Sequence, residues 1–90
     1  MEFTIRDNVI LIRLDKNSVA NLVFHVEGKK MFLDSTFTPP QFRGRGIGSE
    51  LVKASIDYAQ KNSLKIVPVC EFAVDYFRKH REYDGIVEQG

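Results

Sequence analysis

The sequence predicts a mixed α/β fold of the α+β kind: an antiparallel meander, then a splayed parallel strand pair joined by a βαβ crossover, with two main helices. Three observations carry this. Residues 3–38 run in short β-branched and aromatic stretches, residues 46–62 switch to a helical period, and a brief apolar run after them leads into a second helical pattern.

The meander reads as FTIRD, VILIRL, SVANLVFHV and KKMFLDSTFT, broken at Asp7-Asn8, Asp15-Lys16-Asn17 and Glu27-Gly28. In the next segment Ile47, Leu51, Val52, Ser55, Ile56 and Ala59 share one helical face, while Glu50, Lys53, Asp57, Gln60 and Lys61 share the other. Lys53/Asp57 and Asp57/Lys61 are charge pairs at helical spacing. Leu64-Lys65-Ile66-Val67-Pro68-Val69 reads as a buried strand, and Phe72, Ala73, Tyr76, Phe77 and His80 as the apolar stripe of a second helix. Strand, crossover helix and strand make a parallel unit. Pro68 has no N–H for a ladder, so the last strand parts from a neighbour near its end or lies at an edge.

Ninety residues predict one domain, 1–90, and 43% hydrophobic with 28% charged residues is ordinary globular usage. Thirteen basic against 12 acidic residues leave a formal charge of +1, too little for a global field toward nucleic acid or an anionic membrane. The single cysteine, Cys70, excludes an internal disulfide framework and a multi-cysteine metal site, so no metal is expected. The N-terminus lacks a signal-peptide run and no stretch approaches a membrane span. A soluble, cytoplasmic protein is expected.

The most informative stretch is Pro39-Pro40-Gln41-Phe42-Arg43-Gly44-Arg45-Gly46-Ile47-Gly48-Ser49, lying between a strand ending near Thr38 and a helix starting near Gly46. Amides of a first helical turn have no intrahelical partner and attract anions. Gly44, Gly46 and Gly48 let a phosphate oxygen approach them without meeting a Cβ. A tight turn alone is the competing explanation. Two familiar phosphate loops are excluded: Gly48 is followed by Ser49-Glu50 rather than Lys-Ser/Thr, and the spacing is GxGxG rather than GxGxxG.

At Gln41-Phe42-Arg43-Gly44-Arg45-Gly46 the chain resembles the Gcn5-related N-acetyltransferases, whose cofactor signature is Gln/Arg-x-x-Gly-x-Gly/Ala. The resemblance implies that this loop binds the pyrophosphate of acetyl-coenzyme A and that the pantetheine arm lies between the splayed strands. Thr36, Phe37 and Thr38 would line one side, and Val67, Pro68 and Val69 the other; Gln41, Arg43, Gly44, Arg45, Gly46, Ile47, Gly48 and Ser49 complete the implied cofactor site. The likeness extends to the family's minimal single-domain branch, through Pro68-Val69-Cys70 and His80-Arg81-Glu82-Tyr83. Two departures stand out. A His-Thr pair common in that branch is Ser35-Thr36 here, and the His-Pro of the C-terminal motif is His80-Arg81.

Cys70 is the sharpest chemical candidate. It falls where a strand gives way to a helix, a place where first-turn amides favour thiolate; the resemblance puts a cysteine here facing the acetyl end of the cofactor. Its alternative is a small buried hydrophobe. Transfer to an amine needs a base, for which Glu71, Asp34 and His25 are candidates, and a proton donor, for which Tyr76, Tyr83 and Cys70 are. Glu71 also reads as a helix-start residue, Asp34 and His25 as surface positions, and Tyr76 and His80 as packing. Arg43 and Arg45 suit a diphosphate or ribose phosphate, whereas Arg78, Lys79 and Arg81 read as a solvated face.

The leading functional reading is a small acetyltransferase that passes acetyl from acetyl-coenzyme A to an amine, directly or through Cys70. The alternatives are a noncatalytic acyl-coenzyme A binding or sensing domain, and a nucleic-acid module using Arg43, Arg45 and an exposed Phe42, against which the near-neutral charge argues. The acceptor and the oligomeric state are not encoded in any recognisable motif.

Overall fold

The computed structural model describes residues 2–88. Five strands form one sheet in sequence order: β1 (Thr4–Arg6), β2 (Val9–Arg13), β3 (Val19–Glu27), β4 (Lys30–Phe37) and β5 (Lys65–Pro68). The first four pair antiparallel and β4 pairs with β5 in parallel. Helix α1 (Ile47–Lys61) makes the crossover and α2 (Glu71–Lys79) follows β5. The mixed sheet with two helices is the expected architecture.

Alternation along the strands builds the core. Ile10, Ile12, Ala20, Leu22, Phe24, Met31 and Leu33 are buried, while Val9, Leu11, Val23 and Phe32 on the outward rows keep partial exposure. Leu51, Val52, Ile56 and Ala59 of α1 and Ala73, Tyr76 and Phe77 of α2 pack into the same cluster. Ser55, the buried polar member of the α1 face, is satisfied by donating from Oγ to the Val52 carbonyl at 2.6 Å. One expected ion pair is replaced. Asp57 pairs with Lys61 at 3.1 Å, but Lys53 turns back to Glu50 at 3.5 Å, one turn closer to the positive end of the helix.

The turns carry the strain expected of them. Asp7 and Ser63 have φ of 54° and 57°, and Gly28 closes the β3–β4 hairpin at φ 59°. A register shift at Val23/Phe24 lets Asp34 stand unopposed in β4.

The junction of β4 and β5 positions the site. Pairing runs from Lys30/Lys65 to Leu33/Pro68 and then stops. The Leu33 carbonyl accepts from both the Val69 and the Cys70 amides, each at 3.1 Å, as the chain turns off into α2. Asp34–Phe37 therefore has no ladder partner on that side, and a V opens. Both expectations raised by Pro68 are met: β5 ends there, and it is the terminal strand of the sheet. Its far edge is partly covered, since Ile66 donates to the Ile86 carbonyl at 2.7 Å and accepts from the Glu88 amide at 2.8 Å.

Candidate functional site

Between the end of β4 and the start of α1 the chain leaves a run of amides unclaimed. A single 3₁₀ turn at Pro40–Phe42 uses up the next two: Phe42 N–H donates to Pro39 and Arg43 N–H to Pro40. The first amide of the helical ladder is that of Glu50, donating to Gly46 at 3.1 Å. Among the described residues, the N–H groups of residues 44–49 find no backbone or side-chain acceptor in between. Gly44 and Gly46 sit at φ 81° and 78°, in the left-handed region, and alternation of hand is the backbone pattern from which anion-binding concavities are made. A Cβ at either glycine would meet nothing within 4 Å, which leaves the requirement for glycine there conformational.

Gly48 is glycine for a different reason. A Cβ there would lie 2.6 Å from Cζ of Phe72, whose ring crosses over the first turn of α1. The three glycines thus do two jobs, conformation at the first pair and close approach at the third.

The amide run opens into a cleft of about 400 Å³, within the usual size range of small-molecule sites. Thr36 and Phe37 line it from β4, Thr38, Arg43, Gly44 and Gly46 from the loop, and Ile47, Gly48 and Ser49 from α1. Two of the residues singled out in the loop, Gln41 and Arg45, stand outside it. Arg43 is held at the rim by donating from Nε to the Thr38 carbonyl at 2.9 Å, which leaves the outer guanidinium nitrogens free to point elsewhere. Arg45 instead lies over the Phe42 ring, 5.1 Å from its centroid.

The opposite wall is not the one expected. Val67 is 3% exposed, Val69 projects from the surface at 52%, and neither lines the cleft, because the chain leaves the sheet at Pro68. Phe72 supplies the wall. Its place two residues beyond Cys70, on the first turn of α2, was readable in the sequence only as part of the apolar stripe; the structure leaves it 41% exposed and separate from the core that Ala73, Tyr76 and Phe77 enter. Phe42 also lines the cleft, and it packs against the core rather than standing exposed.

Cys70 occupies the N-cap of α2 at the apex of the V, half-buried against the core, and its side chain makes no capping hydrogen bond. Asp34 is one residue past the same apex. Its carboxylate meets His25 Nδ1 at 2.6 Å, and His25 Nε2 meets Glu27 at 2.9 Å, with the imidazole stacked on Phe32 at 4.6 Å. The hydrogen bond to Asp34, with a smaller one to Glu27, raises the His25 pKa above its ordinary 6.5. With both ring nitrogens facing carboxylates, the imidazolium form satisfies the geometry. His25 and Asp34 are thus committed to each other.

Tyr76 is buried, stacked on His80 at 4.2 Å and edge-on to Phe77, and burial is the main cause that raises its pKa above 10.0. Tyr76 packs in the core, whereas His80 stacks on it half-exposed, with Nδ1 3.5 Å from the Glu82 carboxylate. Arg78 pairs with Asp75 and Arg81 with Asp84, as on a solvated face. Among the described residues no group of His, Cys, Asp and Glu gathers as a metal site, and no helix is long and apolar enough to cross a membrane.

Similarities to known proteins bear on this site. The sequence profile of the GCN5-related N-acetyl-transferase family matches residues 9–86. Protein NATD1 of Xenopus tropicalis is 36% identical over 62 residues, which is 68% of this chain and 57% of that protein, so this chain spans little more than half the length of that relative. The solution NMR structure of a GCN5-like candidate N-acetyltransferase from Staphylococcus aureus superposes with a TM-score of 0.79 at 27% identity, covering 99% of this chain and 89% of the other.

Proposed function

Since the chain belongs to the GCN5-related N-acetyltransferase family, we propose that it binds acetyl-coenzyme A in the β4–α1 cleft and transfers the acetyl group to an amine. The observation that carries this reading is the run of unclaimed amides at residues 44–49, held open by two left-handed glycines at the start of a fifteen-residue helix. A diphosphate presents oxygens to such amides, and the positive end of α1 adds favourable potential. Arg43, fixed through the Thr38 carbonyl, supplies a cation at the rim.

The pantetheine arm would continue along the free edge of Asp34–Phe37, past Thr36 and Phe37, toward the apex where Leu33 accepts from Val69 and Cys70. In the transfer the amine nitrogen bonds to the acetyl carbon, the carbon–sulfur bond breaks, the amine gives up a proton and the departing thiolate takes one. Cys70, at that apex, is the candidate donor of this last proton, or the acceptor of acetyl in a two-step route. The acceptor amine is left general, a small molecule or a protein side chain.

Thermal unfolding with and without coenzyme A tests the binding. Coenzyme A is expected to raise Tm for the wild type and not for Gly46→Glu, which forces a side chain into the left-handed position and sets a carboxylate beside the diphosphate. Equal shifts in the two proteins would remove the loop from the site. Acetylation of an amine panel, read by mass spectrometry, separates the enzyme from an acyl-coenzyme A binding module, which would show the shift and no product.

A further inference from the structure

Next to the main cleft lies a second recess of about 220 Å³, lined by Arg13, Leu14, Phe42, Arg45 and Ile47. It shares Phe42 and Ile47 with the first. Arg13 is the last residue of β2, brought to this end of the sheet by its pairing with Val19, and Arg45 stands between the two left-handed glycines. Both arginines are exposed and, among the described residues, neither has a carboxylate within ion-pair distance. The contrast with Arg78 and Arg81 is plain, since each of those is matched by an aspartate three residues away.

Two arginines lining one recess concentrate positive charge there, which a bound anion would offset. Arg45 is kept at this rim by the Phe42 ring beneath it, and Phe42 and Leu14 give the recess an apolar side. Its chemistry therefore favours a phosphate attached to something flat or apolar. A phosphate monoester carries a charge of about −1.5 to −2 near neutral pH and offers three acceptor oxygens, which two arginine forks can share.

We propose that this recess is a phosphate-monoester site that takes the ribose 3′-phosphate of coenzyme A, so that Arg13 and Arg45 tell coenzyme A from its dephospho form. The inference rests on the reading that the neighbouring cleft holds the diphosphate. Ile47 and Phe42 form the shared wall over which the ribose would pass from one site to the other. Arg45 then acts outside the main cleft although it lies within the glycine loop, and Arg13, thirty residues before that loop, acts with it.

The test is calorimetric titration of coenzyme A and 3′-dephospho-coenzyme A into wild type, Arg13→Ala and Arg45→Ala, in phosphate-free buffer at low salt, with inorganic phosphate and 3′,5′-ADP as further arms. Wild type is expected to bind coenzyme A about tenfold more tightly than the dephospho form, in line with charge-assisted contacts at an exposed site. Arg13→Ala should bring that ratio close to one while leaving the dephospho-coenzyme A affinity unchanged, and added salt should shrink it. 3′,5′-ADP should compete with coenzyme A more strongly than inorganic phosphate does. Equal wild-type affinities for the two forms would overturn the inference and leave the diphosphate reading standing. A preference that survives in both variants would overturn the assignment to these arginines, as would inorganic phosphate competing as well as 3′,5′-ADP. Failure of both forms to bind wild type would bring down the diphosphate reading, and this inference with it.

Discussion

An alanine at position 48 separates the two roles of the loop glycines. Its Cβ would stand 2.6 Å from Phe72 Cζ and 3.0 Å from each Cε, whereas carbon atoms rest about 3.5–4.0 Å apart, so ring or helix must yield by about 1 Å. Overpacking of this kind costs about 1–3 kcal/mol in a closed core. Phe72 is 41% exposed and can swing outward, which places the cost toward the lower figure. Working against it, Gly48 lies within α1 at an ordinary helical φ, where alanine is favoured by up to about 1 kcal/mol. The two effects nearly cancel in the wild-type background, giving a change within about 1 kcal/mol. Removing the ring exposes the favourable term: in Phe72→Ala, the substitution Gly48→Ala should stabilise by roughly 0.5–1 kcal/mol. Urea unfolding of the four proteins measures the cycle, with a coupling of about 1–2 kcal/mol expected for groups in contact. If Gly48→Ala has the same effect in both backgrounds to within about 0.5 kcal/mol, the ring does not press on the helix and Phe72 is not the reason for this glycine.

Gly46→Ala meets no atom within 4 Å but must hold φ near 78°, so chemical denaturation should show a loss of roughly 1–2 kcal/mol that deleting Phe72 does not relieve. The His25 pKa is raised, so its bonds to Asp34 and Glu27 add stability that is fully present below about pH 6.5 and lost as pH rises through the higher folded value. His25→Gln should therefore lower Tm near pH 5.5 and hardly at pH 9, and a flat difference across that range would discount the imidazolium. If Cys70 relays acetyl, intact-protein mass spectrometry after mixing with acetyl-coenzyme A should show one added acetyl group that is absent in Cys70→Ser; full turnover by Cys70→Ala would show direct transfer.

Much of the fold was legible because each element announced its own period. Alternation in VILIRL and SVANLVFHV marked strands that bury one row, and the helical period over residues 46–62 marked α1 to within a residue at each end. The parting of β4 and β5 could be read from Pro68, since an absent N–H is a local fact of sequence. The partner of Lys53 could not. Asp57 and Glu50 both lie within helical reach, and choosing between them depends on side-chain directions that spacing alone does not fix.

The loop shows most clearly where reading stops. Gly44, Gly46 and Gly48 read alike in sequence, as positions where a missing Cβ admits a ligand oxygen, whereas the left-handed angles of the first two are visible only in the folded chain. Gly48 carries the same letter in the same motif, yet its reason lies twenty-four residues away in Phe72, a contact between two helices that no local pattern contains. Phe72 itself was misplaced for the same cause: at helical spacing from Tyr76 it reads as core, and only the turn that ends β5 at Pro68 rotates it out of the core and over α1. Arg45 repeats the lesson. The motif names it by its neighbours in sequence, Gly44 and Gly46, whereas in space it lies over Phe42 and lines a recess to which Arg13 also contributes. A motif specifies backbone well, since backbone geometry is decided within a few residues. Where each side chain of that motif points is decided by the elements that arrive from elsewhere, and here those elements are the first turn of α2 and the end of β2.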